Sequence, residues 1–369
     1  MKRRSFLASP LLALPLAAAA QPDTQVFAHG DGIPLEPAEY ARLLSERTAK
    51  SDAGADVYSR GGVVERLEQK MAALLGKETA VWLPTGTLAN HLAVRLLAGN
   101  RRRVLVQAES HLYRDCGDCA QTLSGLHLIG LSPGRATFTV EDAEQAESDS
   151  QLGRVVTPIG ALQIESPVRR QTGARFDFAE MQRVSAWARK RGIGLHLDGA
   201  RIFIESAYTK RPVQQYTALF DTVYVSMYKY FNAASGAVLA GPKSLLADLY
   251  QTRRMFGGGL HEAWPYAAVA LHFLEGFEAR MANAVATSEQ VIAALAEDGN
   301  FEIERIPNGT NLFRLRTTGV NALVYQGRLA DAGIHAQPPN GTAFVMQVNE
   351  TWARAGADEI IRRFVRALG

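Results

Sequence analysis

Apolar residues at Val64, Leu67, Met71, Leu74 and Leu75 recur at steps of three and four before Gly76, so the spacing predicts an amphipathic helix over 63–75 with a glycine stop. Short apolar runs and helical stretches then alternate. Strands are expected at 79–83, 104–107, 126–131, 162–164, 194–197, 222–226 and 237–240, with helices at 87–98 and 178–190. Strand and helix in alternation build βαβ units, which predicts an α/β fold with a mostly parallel central sheet covered by helices on both faces. After Trp264 the rhythm changes. A long helix over 267–297, strands near 301–304, 311–316 and 342–348, and a terminal helix from Ala357 predict a smaller α+β unit. The pattern contains no internal repeat.

Composition narrows the class. The 369 residues exceed one typical domain, and 47% hydrophobic with 21% charged residues reads as globular rather than disordered or collagen-like. The net charge of +3 resides in Lys2, Arg3 and Arg4; from Gln21 onward 37 basic residues face 37 acidic ones. No nucleic-acid partner is expected, because the one basic cluster, Arg101-Arg102-Arg103, is too short for a binding stripe. The first twenty residues read as a cleaved signal. A basic start leads into a weakly apolar run from Phe6 to Leu16, broken by Pro10 and Pro15, and then Ala18-Ala19-Ala20. That run is too short to span a membrane, and no other stretch is long enough. Arg3-Arg4-Ser5-Phe6-Leu7 is similar to a twin-arginine signal, so a periplasmic protein exported folded is expected, or a cytoplasmic one if the signal is not used. An ordinary secretory signal is the alternative.

Cys116 and Cys119 stand as C-x-x-C in a segment that reads as helical. They could pair in an oxidising compartment, although one helical turn closes a very small loop and Asp115 and Asp118 beside them would raise a thiol pKa. Further ligands at metal spacing do not adjoin them, and no metal site is expected.

Three other clusters carry candidate chemistry. Leu83-Pro84-Thr85-Gly86-Thr87-Leu88-Ala89-Asn90 marks a strand-turn-helix junction. There Gly86 allows close backbone approach, Thr87 offers a hydroxyl and the helix start favours an anion, though most such turns are merely helix starts. Leu195-His196-Leu197-Asp198-Gly199-Ala200-Arg201 puts a carboxylate and a guanidinium past a buried strand, where ligands of open parallel sheets bind; a surface ion pair is the plainer reading. Ser226-Met227-Tyr228-Lys229-Tyr230-Phe231-Asn232 flanks a lysine with aromatics. Desolvation lowers the pKa of such an amine and makes it a nucleophile toward an aldehyde, whereas a lone lysine usually only snorkels. In order, a phosphate turn, an aspartate and a lysine 31 residues beyond it describe a pyridoxal phosphate site.

With Asp56-Val57-Tyr58, Glu109-Ser110-His111 and Gly257-Gly258-Gly259 in their places, the chain resembles the threonine aldolase and aromatic amino acid β-eliminating lyase family of fold-type I pyridoxal phosphate enzymes. Beyond the signal read over 1–20 and an N-terminal arm over 21–54, the resemblance implies a large cofactor-binding domain over 55–264 and a small C-terminal domain over 265–369. It implies that Gly86 and Thr87 hold the cofactor phosphate, His111 stacks on the ring, and Asp198 pairs with the ring nitrogen. Arg201 would contact a cofactor oxygen or the substrate carboxylate, Lys229 would bond to the cofactor aldehyde, and Tyr58 would line the substrate side. The implied activity is Cα–Cβ cleavage of a β-hydroxy amino acid to glycine and an aldehyde, with His111 or a water it orients taking the hydroxyl proton. Active sites between subunits imply a homodimer or homotetramer.

Several substrate-side positions depart from the family pattern. Gly30 in His29-Gly30-Asp31-Gly32 stands in place of a serine, Val168 in Ile164-Glu165-Ser166-Pro167-Val168 in place of a histidine, and a residue near Val345 in place of an arginine that grips the substrate carboxylate. Tyr228 replaces the serine before the lysine, and Leu260-His261-Glu262 follows the triple glycine. Arg169 or Arg170 could restore a carboxylate clamp, since a guanidinium binds carboxylates bidentately. The changes leave β-elimination, transamination or racemisation open on the same scaffold, and a non-catalytic exported relative as the reading from another class.

Overall fold

The computed structural model describes residues 23–50 and 54–369; the expected signal over 1–20 lies outside the described residues. Twelve strands follow one another there: β1 (Val26–Phe27), β2 (Thr79–Leu83), β3 (Arg103–Gln107), β4 (His127–Leu131), β5 (Ile159–Glu165), β6 (Gly194–Asp198), β7 (Thr222–Ser226), β8 (Ala237–Gly241), β9 (Phe301–Arg305), β10 (Leu312–Thr317), β11 (Ile334–His335) and β12 (Phe344–Gln347). Seven form one sheet in the order β2-β8-β7-β6-β5-β3-β4, in which β8 alone runs antiparallel to its neighbours. The apolar character of β7 and β8 follows from their burial along the whole length, since a strand covered on both faces has no polar side. Helix Gly86–Ala98 packs across β5, β6, β7 and β8. Helix Phe178–Lys190 starts where the Asp177 carboxylate accepts from the Glu180 N–H at 2.9 Å, and it turns Met181, Val184 and Ala188 inward. β12-β10-β9 form a separate antiparallel sheet, with Phe313, Leu315, Phe344 and Met346 buried beneath it.

Two expectations need correction. The single helix over 267–297 is two helices, Trp264–Leu274 and Phe277–Glu297, because Glu275 leaves the helical region and Gly276 takes φ +68°, a left-handed conformation that periodicity does not reveal. The 21–54 stretch is more than an arm. Pro37 and a capping box between Glu36 and Glu39 start helix Pro37–Ala49 within it. Ahead of that helix, β1 pairs in parallel with β11, and Asn349 Nδ2 donates to the carbonyls of Phe27, His29 and Gly30 at 2.9, 3.1 and 3.0 Å. The arm then passes against the lysine loop. A Cβ on Gly32 would sit 2.1 Å from Asn232 Oδ1 and 2.4 Å from the Lys229 carbonyl, so this passage requires glycine.

Two glycines offer a test of opposite sign. Gly276→Ala is expected to destabilise the protein by about 1 kcal/mol through its left-handed backbone. Gly327→Ala, inside helix Ala322–Asp331 with open space around its Cβ, should stabilise it by about 0.5–1 kcal/mol. Denaturant melts of both variants test the break at Gly276, which equal signs would contradict.

Candidate active site

The carboxyl ends of β2, β3, β5, β6 and β7 lie along one edge of the parallel sheet, where such folds bind ligands. The residues that follow or end these strands are the Gly86 turn, His111, Glu165, Asp198 and Lys229. A cavity of about 300 Å³ is lined by His111, Glu165, Arg169, Asp198, Arg201 and Lys229, with Asp31 and Tyr228. Five of the sequence-predicted residues thus share one hollow.

Asp198 is 1% exposed, and its carboxylate is satisfied from inside the protein. Asn90 Nδ2 donates to Oδ2 at 2.6 Å and the Ala200 N–H donates to Oδ1 at 3.1 Å. Behind Asn90, His196 Nε2 lies 2.8 Å from Asn90 Oδ1, and His196 Nδ1 lies 2.9 Å from Thr222 Oγ1. With Asn90 Nδ2 committed to a carboxylate, its Oδ1 accepts, which assigns the proton of a neutral His196 to Nε2. Burial lowers the His196 pKa to about 4 and keeps the ring neutral. Asn90 stands one turn into helix Gly86–Ala98, so the helix whose start forms the phosphate-type turn also holds Asp198. Thr85 caps that start by accepting from the Leu88 N–H at 3.2 Å. Gly86 is required because the Tyr224 hydroxyl lies 2.0 Å from where its Cβ would be. Neither Gly86 nor Thr87 lines the 300 Å³ cavity itself.

Lys229 follows β7. Burial, then the Arg201 charge, lower its amine to about 8, which raises the neutral, nucleophilic fraction near neutrality. Burial also works against the Arg201 charge, but Asp31 more than offsets it: Arg201 Nε donates to Asp31 Oδ1 at 2.9 Å, and its terminal nitrogen lies 2.8 Å from Oδ2. Gln347 Nε2 donates to the same Asp31 at 2.7 Å.

Glu165 ends β5. Its Oε2 accepts from the His111 N–H at 2.5 Å and its Oε1 from the Arg169 N–H at 3.0 Å. Burial and then the Asp198 charge hold this carboxyl above the usual range. A hydrogen bond with Cys116 raises the His111 pKa against burial, and His111 Nδ1 lies 3.5 Å from Asp115. The two candidate clamps separate here. Arg170 is engaged by Asp115 at 2.6 Å and does not line the cavity, whereas Arg169 lines it, stays 64% exposed and lies no nearer than 3.8 Å to Asp115. Val168 is fully buried and takes no part.

Tyr58 is not brought to this cavity; its ring packs edge-on against His261 and under Arg254. The cysteine segment also differs from expectation. Helices His111–Arg114 and Cys119–Ser124 are separate, because Gly117 and Asp118 adopt left-handed φ values of 57° and 52°. Both cysteines are free, and their mutual hydrogen bond, followed by burial, pushes the Cys116 thiol up, while the same bond pulls the Cys119 thiol down against burial and Asp118. Asp31, Asn90 and Glu165 were not among the expected site residues. Asn90 and Glu165 stood inside quoted motifs, and Asp31 stood beside Gly30, so motif membership was the available signal.

A buried carboxylate and a desolvated amine in one cavity, with an anion-favouring helix start whose Gly86 leaves no room for a Cβ, fit pyridoxal phosphate. The chain is 29% identical over 232 residues to an alanine racemase of Cochliobolus carbonum, covering 62% of this chain and 58% of that protein. It is 27% identical over 230 residues to a low-specificity L-threonine aldolase of Saccharomyces cerevisiae, covering 62% and 59%. It therefore matches less than two thirds of the length of these curated relatives. A candidate L-allo-threonine aldolase of Listeria monocytogenes superposes with a TM-score of 0.77 at 25% identity, covering 94% of this chain and 96% of that one. A threonine aldolase of Leishmania major shares the fold at a TM-score of 0.70 and 16% identity, covering 93% and 98%. The family model described as beta-eliminating lyase matches residues 38–316, and the chain belongs to that family.

Proposed function

We propose that this chain is a pyridoxal phosphate-dependent lyase that cleaves the Cα–Cβ bond of a β-hydroxy amino acid to give glycine and an aldehyde. The observation that carries the reading is the shared cavity of Lys229, with its lowered pKa, and a buried, internally satisfied Asp198. When bound, the cofactor supplies a sink for the negative charge that develops at Cα. Asp198 keeps the ring nitrogen charged, held in place by Asn90 and the Ala200 N–H. Gly86 and Thr87 take the phosphate at the helix start. Lys229 holds the cofactor aldehyde. Arg169 binds the substrate carboxylate, because Asp31 occupies Arg201 and Asp115 occupies Arg170. His111 takes the hydroxyl proton, the role left open by the buried Val168. Residues 55–264 carry the cofactor, 265–369 form the smaller unit, and the working assembly is a homodimer or homotetramer. The substitution of several substrate contacts and the racemase among the relatives favour racemisation as the second reading.

The first experiment supplies pyridoxal phosphate and a panel of threonine, allo-threonine and glycine to the purified protein. A visible cofactor band that is absent in Lys229→Ala, with glycine and acetaldehyde as products, is expected. Recovery of the Cα epimer alone, L-threonine giving D-allo-threonine, would select racemisation, and no band in either protein would end the cofactor reading. The sign of the Lys229 shift yields a second prediction. The rate of cofactor capture by cofactor-free protein should rise with pH through about 8, and a midpoint at the ordinary lysine value would mean a solvated amine. Arg169→Ala is expected to raise KM for the amino acid about tenfold or more, the loss of a charge-assisted bond, while Arg170→Ala leaves it near wild type. The reverse order would reassign the clamp. Export by the N-terminal signal is proposed from its residue pattern, and a periplasmic product with its N-terminus near Gln21 would bear it out, whereas a cytoplasmic, unprocessed chain would not.

A further inference from the structure

We propose that Glu165 is a positioning residue that fixes His111 and Arg169 relative to one another, one carboxylate oxygen holding the backbone of each. Its consequence for substrate rests on the lyase reading above; its geometry does not.

His111 opens a short helix after β3, and Arg169 lies in the turn after β5. Neither side chain ties one backbone to the other. The Arg169 guanidinium is mostly exposed, and the His111 ring meets residues of its own segment, Cys116 by a hydrogen bond and Asp115 at 3.5 Å. The two backbones are instead joined through one side chain, by the bonds of 2.5 Å to the His111 N–H and 3.0 Å to the Arg169 N–H. Glu165 is itself immobilised. Its N–H donates to Gln107 Oε1 and its carbonyl accepts from Gln107 Nε2, both at 2.8 Å. Gln107 is fully buried and ends β3, so the bridge connects adjacent strand ends.

The choice of residue type supports the inference. A carboxylate at this position is disfavoured by burial and by Asp198, and a glutamine would fill the same space at less electrostatic cost. Glutamine, however, offers one acceptor oxygen, and its amide group would face an N–H donor with another donor. Only a carboxylate satisfies two N–H groups from opposite sides.

Glu165→Gln tests this by hydrogen exchange on the cofactor-free protein, because the His111 and Arg169 amides are themselves the bridged donors. At least one of them should exchange about fivefold or more faster, with the strands of the large sheet unchanged. In the holoenzyme the variant should raise KM for the amino acid and alter the visible circular dichroism of the bound cofactor. In an Arg169→Ala background it should add less than about twofold to KM, since the shared route is already lost. Unchanged exchange at both amides, or full multiplication of the two KM effects, would overturn the proposal. If the glutamine variant does not fold, Glu165→Asp gives the same readouts, because it keeps the charge but is too short to reach both amides. If wild type turns over no amino acid, the lyase reading falls while the exchange result still decides the bridge.

Discussion

A carboxyl group removed from water has to be matched by hydrogen-bonding partners, and Asp198 is the place where this protein meets that demand. Its partners come from two directions, Asn90 on the helix that crosses the sheet and the Ala200 N–H of the turn that follows β6. Asn90 can serve only if its own oxygen is occupied, which the His196 Nε2–H does, while Nδ1 of the neutral ring accepts from the Thr222 hydroxyl. Four side chains from β6, β7 and one helix are thereby locked in a single polarity. The helix start that favours a phosphate, the strand end that carries the aspartate and the strand that leads to Lys229 are placed by this one chain of bonds. A network of this kind is stable only when complete, since each missing member leaves a buried polar group unpaired.

The rest of the cavity follows from how its charges are shared out. Arg201 sits close to Lys229 and lowers its pKa, yet Asp31 pins the guanidinium and keeps it from acting as a free cation. Asp115 does the same for Arg170. What is left at the rim is Arg169, whose guanidinium is mostly exposed and only loosely approached by Asp115 at 3.8 Å, in the same cavity as a desolvated amine and a half-buried histidine. That asymmetry suits the carboxylate of the amino acid in the proposed reaction, bound in one orientation. The arm contributes the decisive anion, and Gly32 lets it lie against the lysine loop, so residues far ahead of the large sheet complete the site.

Much of this was legible in the chain. The runs that became β2, β7 and helix Phe178–Lys190 lie at their expected positions because each is short, strongly patterned and bounded by turn or cap residues. Lys229 and Asp198 were recognisable because strand ends in a parallel sheet point to one edge, so their order along the chain carries over to proximity in space, and His111 was recognisable only through the family resemblance. The helix break at Gly276 and the cysteine turn were not legible, since a left-handed residue inside an apolar period leaves the period intact.

The amino-acid sequence alone determined the strand and helix alternation, the neutral charge balance after Gln21 and the residue types at the strand ends that line the cavity. These depend on local spacing and composition, which a linear string contains. The tertiary structure decided which charges are free and which are spent. Asp31 and Arg201 are 170 residues apart, His111 and Glu165 are 54 apart, and Tyr58 lies away from the cavity despite its motif. Pairing over such distances depends on strand order and on where the arm is fastened, and neither is set by the periodicity of the segments involved.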